Sequence, residues 1–491
     1  MRRALRTAAL AAVTIAAATG VALALVALLS DAAVTAARFK TIRADHATLR
    51  AFLGRMPKGA DLHVHLSGSV YAEQLIAWAA EKGLCVRLPD VFIMPPPCDA
   101  ATLPVAAAIA KQSVYDDIVN ALSTRFFVPS ANTPSVHDQF FDSFSKYGAV
   151  TALVPAEMTA SLLRQYAAQS VQHTELMLSF LGAKDRVELA AAIKDEPDFA
   201  KRLAILKANG LDKLVADMRP QIAAIAAQID AQLGCATDKT RPGCGVSYRL
   251  IAQVTRVYDE REVFVQAAFA AALVRAEPLV AGLNFVGPED NRVAREDYRL
   301  HMRMIAFLAK DVPVALHAGE LWLGLVPPDD LTFHITDAVM TAGARRIGHG
   351  ASIAYETDMR ALLAEMRKRS VVVEINLTSN DMILGVRGKD QPLLAYRAAG
   401  VPLVLSTDDA GVSRIDLTNE YFRAARDYAL GYRDLKTMAR NALTYSFLAD
   451  ADKRAALERF DRSAHEFERT VATERSVFGN MATLARALLT R

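Results

Sequence analysis

The stretch "GADLHVHLSGSV", Gly59 to Val70, sets two histidines two residues apart at the end of an apolar run. Successive side chains alternate faces in an extended strand, so His63 and His65 point the same way from its end. A histidine at a strand end is, taken alone, more often a hydrogen-bonded structural residue than a working one. What decides the matter is whether the rest of the chain brings other polar groups to the same point.

Seven more short apolar runs follow: "VQHTELML" (171–178), "YRLIAQVT" (248–255), "LVAGLNFV" (279–286), "VPVALHA" (312–318), "ARRIGH" (344–349), "VVVEINL" (371–377) and "VPLVLST" (401–407). Helical patterning separates them, as in "DYRLHMRMIAFLAKD" (297–311) and "ETDMRALLAEMRKR" (356–369), the latter with charges opposite an apolar face. Eight strand–helix units predict an α/β fold, a (β/α)8 barrel, whose working residues stand at the C-terminal strand ends. Two stretches exceed a minimal barrel. Roughly Glu73 to Gln169, between the first and second strands, with helical pieces and the first cysteine pair, and a mostly helical segment between the second and third, ending with the second pair, read as helical insertions over the barrel mouth. Beyond the eighth strand the chain is amphipathic and helical, a tail expected to pack on the barrel.

The bulk numbers fit this class. Of 491 residues 52% are hydrophobic and 23% charged, which excludes a disordered chain. The net charge of +3 carries no basic stripe interleaved with aromatics, so a nucleic-acid polymer is not an expected partner. "MRRALR" followed by a charge-free run from Thr7 to Leu29 reads as an export leader. Its length allows a membrane anchor, whereas "AAVTAA" just beyond allows cleavage, and the sequence leaves both open. Residues 1–36 are assigned to this leader and 37–491 to the barrel domain. Cys85 and Cys98, and Cys235 and Cys244, each close a short proline-containing loop, the pattern of two local disulfides outside the cytosol. Neither spacing is that of a zinc knuckle.

Polar groups recur at the other strand ends. "ALHAGE" puts His317 at the end of the fifth strand and Glu320 in the loop after it; "RIGHG" puts His349 after the sixth; "STDDAG" puts Asp408 and Asp409 after the eighth. A barrel converges them with His63 and His65. Imidazoles with one carboxylate can hold a divalent metal such as zinc, which brings the pKa of a water toward neutrality. Metal-assisted hydrolysis is the expected chemistry, with Glu320 and His349 as candidates for proton transfer.

In this order, "MPKGADLHVHLSGS", "ALHAGE", "RIGHG", "TSN" and "STDD" resemble the motifs of the adenosine/AMP deaminase family of the amidohydrolase superfamily, from Met56 to Asp409. "MPKG" and the leader look most like the secreted, growth-factor-type members. The resemblance implies that His63, His65, His317 and Asp408 bind one zinc ion per chain. It implies that Glu320 passes a proton to purine N1, that His349 orients or deprotonates the attacking water, and that Asp409 and the Gly287 amide contact purine N7 and N3. The substrate would be adenosine or a related 6-aminopurine nucleoside, and the products the 6-oxopurine (inosine, from adenosine) and ammonia. A homodimer, an exported location and membrane attachment through the leader are further expectations.

The departures concern the substrate rather than the metal. Ser67 stands where family members often carry an acidic residue that recognises or excludes the sugar, Asn284 where Asp is usual, and Ala410 where Pro is usual. Asn376, Leu377 and Thr378 stand where Cys-Pro precedes the Ser-Asn pair. Two rivals therefore accompany the main reading: an amidohydrolase acting on another amine such as an N6-substituted purine, and a non-catalytic extracellular binding protein on the same barrel.

Overall fold

The computed structural model describes residues 30–474 apart from 89 and 132, so the apolar leader through Leu29 lies outside the described residues. All eight expected strands form: β1 Gly59–His65, β2 Val171–Leu178, β3 Ser247–Thr255, β4 Val280–Val286, β5 Ala315–Ala318, β6 Arg346–His349, β7 Val372–Ile375 and β8 Leu403–Leu405. They pair in parallel as two half-barrels, β1-β2-β3-β4 and β5-β6-β7-β8.

Two backbone seams join the halves. At one, Leu283 N–H donates to Pro313 O at 3.1 Å; at the other, Asp408 N–H donates to His63 O at 2.9 Å and His65 N–H to Asp408 O at 3.3 Å. Side chains lock the second seam, because the buried Asp61 carboxylate accepts from Thr407 Oγ1 (2.7 Å) and from Tyr166 Oη (2.9 Å). Three of the candidate site residues thus belong to the closure of the barrel itself.

Strands of the second half are shorter than their apolar runs. Pro402 can donate no backbone hydrogen bond, and after Ile375 the chain turns at Asn376 into the helix Leu377–Leu384. The helices between strands match their patterns. "DYRLHMRMIAFLAKD" yields Tyr298–Leu308, and "ETDMRALLAEMRKR" yields Met359–Arg369, with the Asp358 side chain accepting from Ala361 N–H as N-cap.

The first insertion differs from its helical expectation by containing a small antiparallel sheet, Cys85–Arg87 with Phe92–Met94 and Leu103–Pro104. Strands of two or three residues leave no readable period. Its Cys85–Cys98 disulfide and the Cys235–Cys244 disulfide, which follows the long helix Leu211–Leu233, are both present. The tail forms helices Leu417–Asp427, Tyr432–Thr444 and Asp450–Glu474.

The helix Asp31–Ile42 packs against the last of these: Val34 and Phe39 are buried and Thr35 Oγ1 donates to Glu468 O at 3.3 Å. The folded body therefore takes in residues 31–36. Lys58 of "MPKG" is fully buried, and its ammonium donates to the carbonyls of Leu53, Met56 and Gln169 at 2.6, 3.1 and 2.8 Å. Burial of that charge drives its pKa down to about 7, and its bonds pin the entry to β1. Among the described residues no helix is long and apolar enough to cross a membrane.

Candidate active site

At the C-terminal end of the barrel, one ligand atom each from His63, His65, His317 and Asp408 lies within 4.8 Å of the others. His317 Nε2 stands 3.0 Å from His63 Nε2 and 3.1 Å from His65 Nε2, and Asp408 Oδ1 lies 3.5 and 3.4 Å from the same two nitrogens. Three imidazole nitrogens and a carboxylate oxygen converge.

What orients these rings lies on other strands. His63 Nδ1 is 2.7 Å from Glu374 Oε2 on β7, His65 Nδ1 is 2.6 Å from Gln253 Oε1 on β3, and His317 Nδ1 is 2.9 Å from Asn284 Oδ1 on β4. Each partner is an acceptor, so each Nδ1 donates and each Nε2 turns a lone pair to the common centre. Burial drives His65 down to about 4 and His317 well below its ordinary 6.5, which keeps both neutral. Burial opposes a charge on His63 too, yet the Asp408 and Glu374 carboxylates raise it to about 10. Those two carboxylates favour positive charge at the cluster, which a divalent cation would supply to the converging lone pairs. The donor set fits a first-row metal.

Glu374 is itself held. Arg346 Nε lies 2.6 Å from Glu374 Oε1 while Arg346 Nη1 lies 2.5 Å from Glu175 Oε2, and all three residues are buried. Gly348, between Arg346 and His349, lets β6 approach the cluster: a Cβ there would stand 2.4 Å from the His63 ring. Gly68 is forced in the same way, since a Cβ there would meet Asp409 Oδ1 at 1.7 Å.

Beside the metal cluster lie two proton-transfer candidates. His349, with φ +66°, has Nδ1 2.9 Å from Asn380 Oδ1 and Nε2 3.5 Å from Glu320 Oε1 and 3.6 Å from Asp408 Oδ2. Asp408 also has a positive φ, +61°, a strained conformation that the barrel seam enforces. Burial and the nearby Asp408 charge raise the Glu320 carboxyl well above its ordinary range, and the same two causes raise Asp409. The Glu320 loop is fixed by Glu289, whose carboxylate accepts from Gly319 N–H (3.1 Å), Glu320 N–H (2.7 Å) and His334 Nδ1 (2.6 Å). Arg256 donates to His317 O (3.0 Å) and twice to Gly287 O (3.0 and 2.8 Å), linking β5 to the loop after β4.

A cleft of about 510 Å³ opens onto this cluster, within the size range of small-molecule sites. His65, Ser67, Gly287, His317, Glu320, Asp408 and Asp409 all line it, while His63 and His349 are buried behind. All nine residues singled out from sequence meet here. Phe140, Phe141 and Phe144, on the insertion helix Val136–Thr151, form an apolar wall, and His137 of that helix lies 3.3 Å from Asp290 in the loop after β4. Sequence reading missed Glu374, Gln253, Asn380, Arg256 and Glu289 as supports, and the part played by Asn284.

Strand-end imidazoles and an aspartate gathered on a parallel eight-stranded barrel define a protein with a candidate centre for a divalent metal. The chain belongs to the adenosine deaminase family: the family model described as adenosine deaminase matches residues 217–463, half of its length. That segment holds His317, Glu320, His349 and Asp408; His63 and His65 reach them from outside it, through β1.

Among its relatives, adenosine deaminase of Enterococcus faecalis is 33% identical over 153 residues, 31% of this chain and 42% of that protein. Adenosine deaminase 2 of Sus scrofa is 24% identical over 437 residues, 84% of this chain and 79% of that protein. The match thus spans less than half of the first relative's length and most of the second's. Two solved structures share the fold at 18% identity. N6-methyl-AMP deaminase from Arabidopsis thaliana has a TM-score of 0.54, covering 85% of this chain and 99% of that one. A zinc-bound amidohydrolase from Burkholderia ambifaria has a TM-score of 0.51, covering 87% and 95%.

Proposed function

We propose that the protein catalyses the zinc-dependent hydrolytic deamination of adenosine or a related 6-aminopurine nucleoside, releasing the 6-oxopurine and ammonia. The observation that carries this reading is the convergence of His63, His65, His317 and Asp408 beside Glu320 and His349 at the end of one cleft. Those four residues hold one zinc per chain, which when bound brings the pKa of a water toward neutrality.

Glu320 carries the proton that purine N1 needs. Its raised pKa supports a carboxyl that is protonated when substrate arrives, whereas Asp408, its pKa held well below the ordinary range by the surrounding imidazoles, stays ionised. Water oxygen bonds to C6 while His349, its ring fixed by Asn380, takes up one water proton on Nε2 and passes it to the 6-amino group, which leaves as ammonia; the remaining hydroxyl proton returns to Glu320 as the 6-oxo group forms. Asp409 contacts the N7 side and the Gly287 amide N3, with Ser67 toward the sugar.

No lysine or arginine lines the cleft and three acids do, which favours an uncharged nucleoside over a nucleotide. The leader and the two disulfides support an exported protein, periplasmic or extracellular, with the leader either removed or kept as an anchor. Family resemblance supports a homodimer.

The absence of an acid at Ser67 favours one second reading, an N6-substituted purine as substrate. A non-catalytic binding role is disfavoured because no metal or proton-transfer position has lost its residue type. Purified protein assayed against adenosine, adenine, N6-methyladenosine and AMP for ammonia release and loss of the 6-amino chromophore tests the reading. Adenosine is expected to lead, and no turnover of any purine would overturn it.

A further inference from the structure

A second cavity, about 400 Å³, branches from the catalytic cleft. Ser67 and Gln253 line both spaces and form the junction. Gln253 is fixed there, with Oε1 on His65 and Nε2 donating to Ser179 Oγ at 3.2 Å. Beyond the junction the walls include Met158, Met177, Leu178, Met218, Ile222 and Ile225, and no charged side chain lines the cavity. Its two sides come from the two insertions: the helix Val136–Thr151 of the first, and the helix Leu211–Leu233 of the second. Gly148 of the first helix lines the cavity, and a Cβ there would meet nothing within 4 Å. Gly148 is exposed, so a side chain added there has room at the edge of the cavity.

Resting on the deaminase reading above, we propose that this cavity is a subsite for an apolar substituent on the sugar of a 6-aminopurine nucleoside. The amino group must reach the metal cluster, which leaves the sugar at the Ser67 end. An acidic residue at that position would project a charge and a longer side chain into the junction; the serine opens it. An anionic or zwitterionic extension would find no counter-charge, whereas an alkyl, aryl or thioether group meets methionines, whose flexible and polarisable side chains adapt to varied apolar shapes. The insertions, which a minimal barrel lacks, thereby serve to recognise substrate beyond the base.

The test compares kcat/KM for adenosine and for 5′-deoxy-5′-(isobutylthio)adenosine in the full protein, with Gly148→Ala, Gly148→Leu and Gly148→Trp as a graded plug. Replacing a glycine inside a helix favours the helix, and thermal midpoints check folding. The wild type is expected to use the thioether at least as well as adenosine. Gly148→Trp is expected to lower kcat/KM for the thioether by ~10- to 100-fold, the scale set by losing a few buried carbons, through KM, with adenosine within about twofold. Turnover of adenosine with the thioether disfavoured in the wild type, or equal losses on both substrates in Gly148→Trp, would overturn the subsite and leave the deaminase reading intact. If no purine were turned over, calorimetric binding of the two nucleosides would still decide it. Tighter thioether binding lost in Gly148→Trp would support the subsite, and equal or absent binding would overturn it.

Discussion

Glu374 is buried and does not line the cleft, yet it is the only carboxylate among the three side chains that orient the proposed metal-binding imidazoles; its counterparts Gln253 and Asn284 are neutral amides. Replacing Glu374 with Gln keeps the volume and removes one acceptor. In the wild type, Oε2 takes the His63 Nδ1 proton at 2.7 Å while Oε1 faces Arg346 Nε at 2.6 Å. An amide has a single acceptor oxygen. If the oxygen serves His63, the amide NH2 opposes the Arg346 guanidinium; if it serves Arg346, the NH2 opposes the His63 N–H. Either way one buried contact turns repulsive, and His63 becomes a less basic or misoriented ligand. Loss of such an outer partner typically weakens metal affinity by about 10- to 100-fold, which is roughly 1.4–2.7 kcal/mol. Zinc competition against a fluorescent chelator reads this directly, and activity is expected to recover when zinc is supplied in excess. Glu175→Gln is the control, because Glu175 holds the same Arg346 at 2.5 Å without touching His63. It should lower thermal stability with zinc affinity retained. Zinc affinity within twofold of wild type in Glu374→Gln, or an equal loss in both variants, would refute the argument.

Two further outcomes follow from the geometry. Glu320→Gln should reduce turnover by ~10²- to 10⁴-fold, the range for a lost proton donor, with zinc content unchanged because the four proposed ligands are intact; an unchanged rate would remove Glu320 from its role. Replacing Cys235 and Cys244 together with serine opens a loop with a sequence separation of 9. It should cost about 2–3 kcal/mol in urea unfolding, and free thiols titrating in the native protein would contradict the bridge.

Much of this arrangement was legible in the chain. The eight strands announced themselves because strands of a parallel barrel are buried on both sides and read as continuous apolar runs. The ends of those runs held His63, His65, His317, His349, Asp408 and Asp409, where barrel geometry alone requires them to meet. The small sheet of the first insertion was not legible, because its two- and three-residue strands lie among prolines and carry no period. The supports of the metal cluster were missed for a different reason: each contacts its imidazole through space from a strand distant in sequence, with separations of 311 for Glu374 and 188 for Gln253.

A signal was nevertheless present. Gln253 and Asn284 stand two residues before the ends of β3 and β4, as His63 does in β1, and the two amides pair in register. Glu374 interrupts "VVVEINL" in the same way. A polar side chain inside a strand buried on both faces costs free energy unless a partner meets it. Each interruption therefore demanded a partner within the barrel, and at the C-terminal strand ends the groups with unassigned Nδ1 protons were the histidines. Read as a requirement for satisfaction rather than as a break in a pattern, Gln253, Asn284 and Glu374 within three apolar runs point to the three imidazoles they hold.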